Sequence, residues 1–306
     1  MEKDLYLFAE EQHKNLSKVI DVSAGICPLG PSKKVKAAIR KAVRDIDRYP
    51  DPELRRMRNF FSSKFGINKH GILFANSINE LLKLVPSVFG TDGLVIISNP
   101  DRITGRLAPR DELIKTLSVN TGKGRMIVLD EALIEFTDDD KFCNSICSAD
   151  NVIVLRTTAN FYALPGIELA WAVSSPEIIS ELKGALHGDA NILSAEAAMT
   201  ALKDKTYIKA AKKFIHDERR MLFYALRKID GIKAYESDSN VFILKIETEH
   251  EKMMAELSGA GFLIKDCEDI KGLDKSFLRM SVMSHDMNKK FIRILKESCM
   301  QKIYLT

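Results

Sequence analysis

The sequence predicts an α/β protein: a large domain built on a mostly parallel sheet, followed by a small α+β domain. Three observations carry this. The runs "GLVIIS", "RMIVLDEALIEF", "NVIVLR" and "IELAWAVS" are apolar almost throughout, as strands buried on both faces of a sheet are. Helical patterns precede these runs and fall between some of them, the alternation that parallel strands need. Beyond about Ser194 long helical segments take over and then give way to short strands and helices, which marks a second domain.

In chain order, "SKKVKAAIRKAVRDI" spaces its apolar residues near the helical period behind Ser32, a capping residue. "RYPDPELRRMRNFFSSKFG" turns at its prolines and becomes amphipathic, with Gly66 as the stop. "INELLKLVPSVFG" is a third helical pattern, interrupted by Pro86 and closed by Gly90. "PRDELIKTL" and "SPEIISELKGAL" are helices between strands. Residues 194–231 are mostly helical, with a break in "ALKDKTY". The remainder predicts strands at "NVFILKI", "FLIKDC" and "FLRMSV", a helix around "EKMMAELSGAG" and a last helix from about Asn288. No repeat or low-complexity tract interrupts this order. The expected division is an N-terminal arm over residues 1–20, a large domain over 21–212 and a small domain over 213–306, with the first part of the large domain free to pack on the small one.

At 306 residues the chain suffices for a large core and a smaller attached domain. Its 46 basic and 42 acidic side chains leave a formal charge of +4, too balanced to pull the protein toward nucleic acid or membrane. "MEKDLYLFAEEQHKNL" is too charged for a signal peptide, and no apolar run reaches transmembrane length. The expectation is a cytoplasmic protein with no nucleic-acid or membrane partner. Cys27, Cys143, Cys147, Cys267 and Cys299 are scattered. Cys143 and Cys147 have the spacing of one helix face, but no second Cys/His pair joins them, so reduced thiols are expected rather than zinc. The six histidines are dispersed and none sits in a nucleophile or metal motif, which argues against a histidine-centred hydrolase and gives no metal site.

Several segments, in order, resemble one enzyme family. "DVSAGICPLGPSKKVKAAI" and "DRYPDPELRRMRNFF" are similar to its opening segment, and "ILFANSINELL" to its phosphate loop. "MIVLDEALIEF" is similar to its pyridinium-binding strand, and "VIVLRTTANFYALPGIELAWAV" to its active-site lysine turn. "FLIKDCEDIKGLDKSFLRMSV" is similar to a small-domain hairpin ending in a substrate-binding arginine. By these segments the chain resembles the fold-type I pyridoxal-phosphate enzymes of the class I/II aminotransferases. Within them it looks most like threonine-phosphate decarboxylase, with histidinol-phosphate aminotransferase next. The resemblance implies a large domain of the aspartate aminotransferase type and a homodimer with its sites at the two-fold interface.

The chemistry of such a site explains why particular residues matter. The cofactor aldehyde needs a lysine amine, its pyridine nitrogen a carboxylate, and its phosphate backbone donors, hydroxyls and a cation. The resemblance places Asp130 as the pyridinium partner; a strand-end carboxylate capping a neighbour is the plainer reading. Asn76, Ser77, Ile78 and Asn79 stand in the phosphate loop together with Thr157, although any helix start offers free amides. Tyr49 matches a tyrosine that reaches the partner subunit's phosphate, or is a packed turn aromatic. Arg279 matches the carboxylate-binding arginine, or is an exposed strand arginine. Asn160, Asp130, the amides of residues 77–79 and Arg279 are expected around one cleft.

The departures from the family pattern concentrate on the cofactor. Asn160 stands at the Schiff-base lysine, and an amide nitrogen is neither basic nor nucleophilic. Glu168 stands where the family has a second phosphate-binding cation, and an anion there repels phosphate. Arg102 replaces an asparagine, and Leu133 a tyrosine, that serve the ring hydroxyl. Between Gly90 and Asn99 the family carries several dozen more residues, including the aromatic that stacks on the ring; here only "TDGLVIIS" remains. The resulting expectation is a catalytically degraded homologue with no covalent cofactor, pyridoxal phosphate being the only candidate. It would act by binding a protein partner or a small phosphorylated or amino-acid ligand. The alternative is an active decarboxylase or aminotransferase that holds the cofactor non-covalently or borrows another lysine.

Overall fold

The protein is described from a computed structural model, which covers residues 5–138, 151–247 and 249–300. In chain order the strands are β1 (Ile20–Asp21), β2 (Ile72–Ala75), β3 (Leu94–Ser98), β4 (Met126–Asp130), β5 (Val152–Thr157), β6 (Ala170–Val173), β7 (Ile232–Ala234), β8 (Val241–Ile246), β9 (Phe262–Leu263), β10 (Lys265–Asp266) and β11 (Phe277–Ser281). The helices are α1 (Leu5–Glu11), α2 (Lys33–Ala42), α3 (Arg55–Phe65), α4 (Ile78–Phe89), α5 (Arg110–Thr121), α6 (Pro176–Ala185), α7 (Ile192–Lys203), α8 (Lys205–Leu226), α9 (His250–Gly259) and α10 (His285–Met300). Cys143 and Cys147 lie outside the described residues. Two compact units emerge, one comprising residues 29–101 and 107–210, the other residues 1–28, 102–106 and 211–306.

The first unit holds a five-stranded sheet in the order β2-β6-β5-β4-β3. Strands β3, β4 and β5 are parallel neighbours, while β6 runs antiparallel to both β5 and β2. Four strands therefore share one direction and β6 alone is reversed, which meets the expectation of a mostly parallel sheet. The reversal has a local cause. The chain between β5 and β6 forms turns and a 3-10 helix (Pro165–Ile167) rather than the crossover helix that parallel strands require. Helices α4 and α6 cover one face, where Leu81, Val85, Ile178 and Leu182 pack on Leu73, Val128, Ile153 and Ala172. The single tryptophan, Trp171 on β6, is buried with Phe61 of α3 edge-on at 5.2 Å.

Three local expectations need correction. α4 is not interrupted at Pro86: the helix runs through it to Phe89, and the Gly90 N–H donates to the Pro86 carbonyl at 3.0 Å. The proline lies in the last turn, where the bond it forgoes is one near the fraying end. "RMIVLDEALIEF" is a strand only to Asp130, whose carboxylate accepts the Ala132 N–H at 3.0 Å and turns the chain into a 3-10 helix, Ile134–Phe136. "ILFA", read above only as part of a loop motif, is strand β2, buried at all four positions.

The caps follow the sequence closely. Ser32 accepts the Val35 N–H at 3.2 Å at the start of α2, and Ser175 accepts the Ile178 N–H at 3.4 Å at the start of α6. Gly66 closes α3 with φ 68°, and the break in "ALKDKTY" falls at Asp204.

In the second unit β10-β11-β8-β7 form an antiparallel sheet, and β1 pairs in parallel with β9. Phe242, Leu244, Leu278, Met280, Leu222 and Phe291 fill its core. The last helix begins at His285, a turn before the expected Asn288, because the Ser284 carbonyl accepts the Asn288 N–H at 2.8 Å. Gly105, at φ +72°, is pressed against this unit: a Cβ there would lie 2.5 Å from the Val241 carbonyl oxygen.

Candidate functional site

Within the first unit, β5 delivers its last residues to the turn that the sequence singled out. Thr158 locks the base of the connection to β6: its N–H and hydroxyl donate to the Leu169 carbonyl at 3.0 and 3.2 Å, and the Leu169 N–H returns to the hydroxyl at 2.9 Å. Asn160 opens the turn, with its carbonyl accepting the Ala163 N–H at 3.3 Å and Ala163 in the left-handed region at φ 55°. Phe161 and Tyr162 then plunge into the core, so Asn160 is the half-buried polar residue between the strand and that anchor. The Phe161 carbonyl is held by the Tyr207 hydroxyl at 3.2 Å.

The start of α4 offers amides to an anion, and those of Asn76, Ile78 and Glu80 already have acceptors within the protein. Ser77 is the N-cap, accepting the Glu80 N–H at 3.1 Å. Glu80 reaches back to accept the Asn76 N–H at 2.9 Å. The Ile78 N–H donates to Oε1 of Glu168 at 2.9 Å, and the same oxygen accepts the Thr157 hydroxyl. Two carboxylates thus sit where the dipole and free amides of the helix start favour negative charge. Asn79 is exposed on the first turn, and the Asn76 side chain donates to the Asp189 carbonyl at 3.3 Å. Of the expected phosphate-loop residues, the fold brings Ile78 and Thr157 together on Glu168. Glu80 was missed, although "SINE" carries the Ser-x-x-Glu signature of a capping box.

Asp130 is 2% exposed at the end of β4. One oxygen accepts the Ala132 N–H and the other lies 3.4 Å from the Ser98 hydroxyl, so the plainer role of a strand-end cap is fulfilled. Beside it Arg156 of β5 is buried against Glu131, Nε to Oε2 at 2.6 Å, with Glu135 at 3.8 Å. Leu133 is buried in the turn that follows. Tyr49 is 100% exposed, which removes the packed-aromatic reading. In the second unit Arg279 is not an exposed strand arginine: it is half-buried on β11 and its guanidinium donates to the Arg102 carbonyl at 2.7 Å and to the Ser23 carbonyl. Among the described residues no cluster of His, Cys, Asp and Glu is arranged for a metal, and no helix is long and apolar enough to cross a membrane.

A family model described as aminotransferase class I and II matches residues 90–295. The chain belongs to this family. As a class I/II aminotransferase family member it is similar to a putative threonine-phosphate decarboxylase of Caldanaerobacter subterraneus subsp. tengcongensis, at 25% identity over 89% of this chain and 88% of that one. That alignment runs over 327 residues, more than this chain's 306, so the relative carries internal residues that this chain lacks. The histidinol-phosphate aminotransferase of Clostridium acetobutylicum shares the fold with a TM-score of 0.85 at 26% identity, covering 91% of this chain and 98% of that one. A second, from Sinorhizobium meliloti in complex with pyridoxal-5'-phosphate, gives 0.86 at 19% identity over 98% and 95%.

The family is pyridoxal-phosphate-dependent. The resemblance puts the cofactor phosphate at the start of α4, and the residues found there do not fit it. A phosphate seeking the Ile78 amide and the Thr157 hydroxyl meets the Glu168 carboxylate bonded to both, and displacing it would leave two anions side by side.

Proposed function

We propose that this aminotransferase-family protein is a catalytically degraded homologue of the threonine-phosphate decarboxylase and histidinol-phosphate aminotransferase branch, which keeps the fold and acts by binding. The observation that carries the reading is Glu168, whose carboxylate takes the helix-start amide and hydroxyl that a cofactor phosphate would use. Asn160 supports it, since at the head of the β5–β6 turn it offers an amide in place of an amine. Leu133, buried and apolar, gives nothing to a ring hydroxyl. In this reading the protein is a cytoplasmic homodimer, with Tyr49 free to serve a two-fold partner, and it holds a protein or a small phosphorylated or amino-acid ligand. Any phosphate in that ligand would have to be met elsewhere than at the Glu168-filled helix start.

The test is the absorption spectrum after adding pyridoxal phosphate, then borohydride reduction and intact mass, on wild type and Asn160→Lys. Neither protein is expected to develop an aldimine band, because Glu168 opposes the phosphate in both. Nor should either release carbon dioxide from threonine phosphate. A stable adduct on one lysine of the wild type, or robust turnover by Asn160→Lys, would sink the degraded-site reading.

A further inference from the structure

The open edge of the five-stranded sheet points to a use that does not depend on the cofactor. Strand β3 is its outermost strand on that side, paired only with β4 among the described residues. Edge strands are ordinarily blunted by a charge, a proline or a bulge, and "LVIIS" has none of these. The opposite edge, β2, is buried at every position; β3 has Ile96 52% exposed and its other residues partly exposed.

The free backbone groups can be assigned. The Asn99 N–H donates to the Asp130 carbonyl on β4, so by the two-residue alternation residues 95 and 97 also face β4. The N–H and C=O groups of Ile96 and Ser98 then face outward, with the Leu94 carbonyl; the Leu94 N–H is spent on Thr91. The side chain of Ile96 lies on the same face as its partner Val128, which belongs to the core under α4 and α6. That helical layer includes half-buried Val88 and Phe89 but leaves Ile96 uncovered. Only residues 90–93 connect α4 to β3, and among the described residues no strand other than β4 pairs with β3.

We propose that the occupant of this edge is the β3 strand of a second copy, paired antiparallel about a two-fold axis at Ile96. The strand is its own complement. With Ile96 opposite Ile96, each N–H donates to the other copy's carbonyl, and the Ser98 N–H meets the free Leu94 carbonyl at both ends. No charges oppose one another, and a charged partner strand would find no counter-charge on β3. A two-fold axis normal to the sheet keeps the α4 faces on one side, so each Ile96 covers the other. The result is one continuous sheet through two chains, an isologous contact that closes on itself.

The experiment is sedimentation velocity across a concentration series on full-length wild type, Ile96→Lys and Tyr49→Ala. Ile96 is half-exposed, so the lysine is accommodated in the folded monomer. The expected result is that Ile96→Lys weakens one association step by about tenfold or more, through two ammonium groups brought face to face. Tyr49→Ala should leave that step in place. As a register check, Ile96→Cys should cross-link between copies under mild oxidation, whereas Ile114→Cys on the exposed side of α5 should not. A wild type that stays at 34.4 kDa throughout, or an Ile96→Lys variant that associates like wild type, overturns the proposal.

Discussion

Removing the carboxylate of Glu168 is the most direct probe of the helix-start arrangement. In Glu168→Ala the Ile78 N–H and the Thr157 hydroxyl both lose their acceptor. A hydrogen bond to a charged group contributes about 1.5–3 kcal/mol net, and a negative charge at a helix start about 0.3–1 kcal/mol. The low end for two such bonds and the helix start is about 3.3 kcal/mol; Glu168 is half-buried, so water replaces part of each, and a total loss of about 2 kcal/mol is expected. For a chain of this size the urea slope is about 3 kcal/mol per molar, which puts the midpoint lower by about 0.7 M. Trp171, the single tryptophan and buried in the same unit, reports the transition by fluorescence. The vacated donors should then accept an external anion. At an affinity of about 5 mM, 50 mM inorganic phosphate restores about 1.4 kcal/mol to the variant. Wild type at matched ionic strength should gain no comparable increment. If Glu168→Ala unfolds at the wild-type midpoint and phosphate affects both proteins alike, the carboxylate is idle and the reasoning about the cradle fails.

Other perturbations test other parts of the chain. Phe61→Ala opens a cavity against Trp171 and Phe74 and should cost about 3–5 kcal/mol, with a red shift in native emission; unchanged emission would place the ring elsewhere. Burial would raise the carboxyl pKa of Asp204, but hydrogen bonds from Lys34, Ser32 and the Tyr207 amide outweigh it and hold the group below its ordinary value of 3.8. A depressed acid stabilises the fold above its unfolded pKa and loses that contribution as pH falls through the folded one. The stability gap between wild type and Asp204→Asn should therefore be flat from neutral pH to about 4 and close below it, as pH-dependent urea titrations would show. A gap that closed on raising the pH would contradict this.

The fold was legible where the pattern was redundant. Strands β4 and β5 announce themselves as apolar runs because both faces are covered, whereas β3 carries an equally apolar run but is only partly buried, and the helix starts at Ser32 and Ser175 because a hydroxyl there satisfies an amide whatever the tertiary context. Strand β2 escaped since four buried apolar residues carry no period that separates strand from loop or helix. Pro86 misled because its cost depends on how near the helix end it stands, which spacing alone does not reveal. At the candidate site, residue types warned that Glu168 would not suit a phosphate. That it satisfies Ile78 and Thr157 simultaneously joins residues ninety apart in the chain, a contact only the folded sheet produces. Arg279 could be marked as interesting but not as tied to two carbonyls, for the same reason.

The three-piece make-up of the second unit sets a limit on how this protein can be made or cut. Its β1–β9 ladder joins Ile20 to Phe262, and Gly105 is wedged against Ser237 and Val241, so the opening residues and a five-residue detour both wait for the end of the chain. On the ribosome this unit has no complete core until nearly the whole polypeptide has emerged, whereas residues 29–210 already contain every strand of the five-stranded sheet. A fragment starting near residue 211 would carry β7, β8, β10 and β11 but leave β9 without its partner and the Gly105 seat empty. Conversely, an insertion placed between Arg102 and Arg106 would be felt in the C-terminal unit rather than in the sheet that flanks it in sequence.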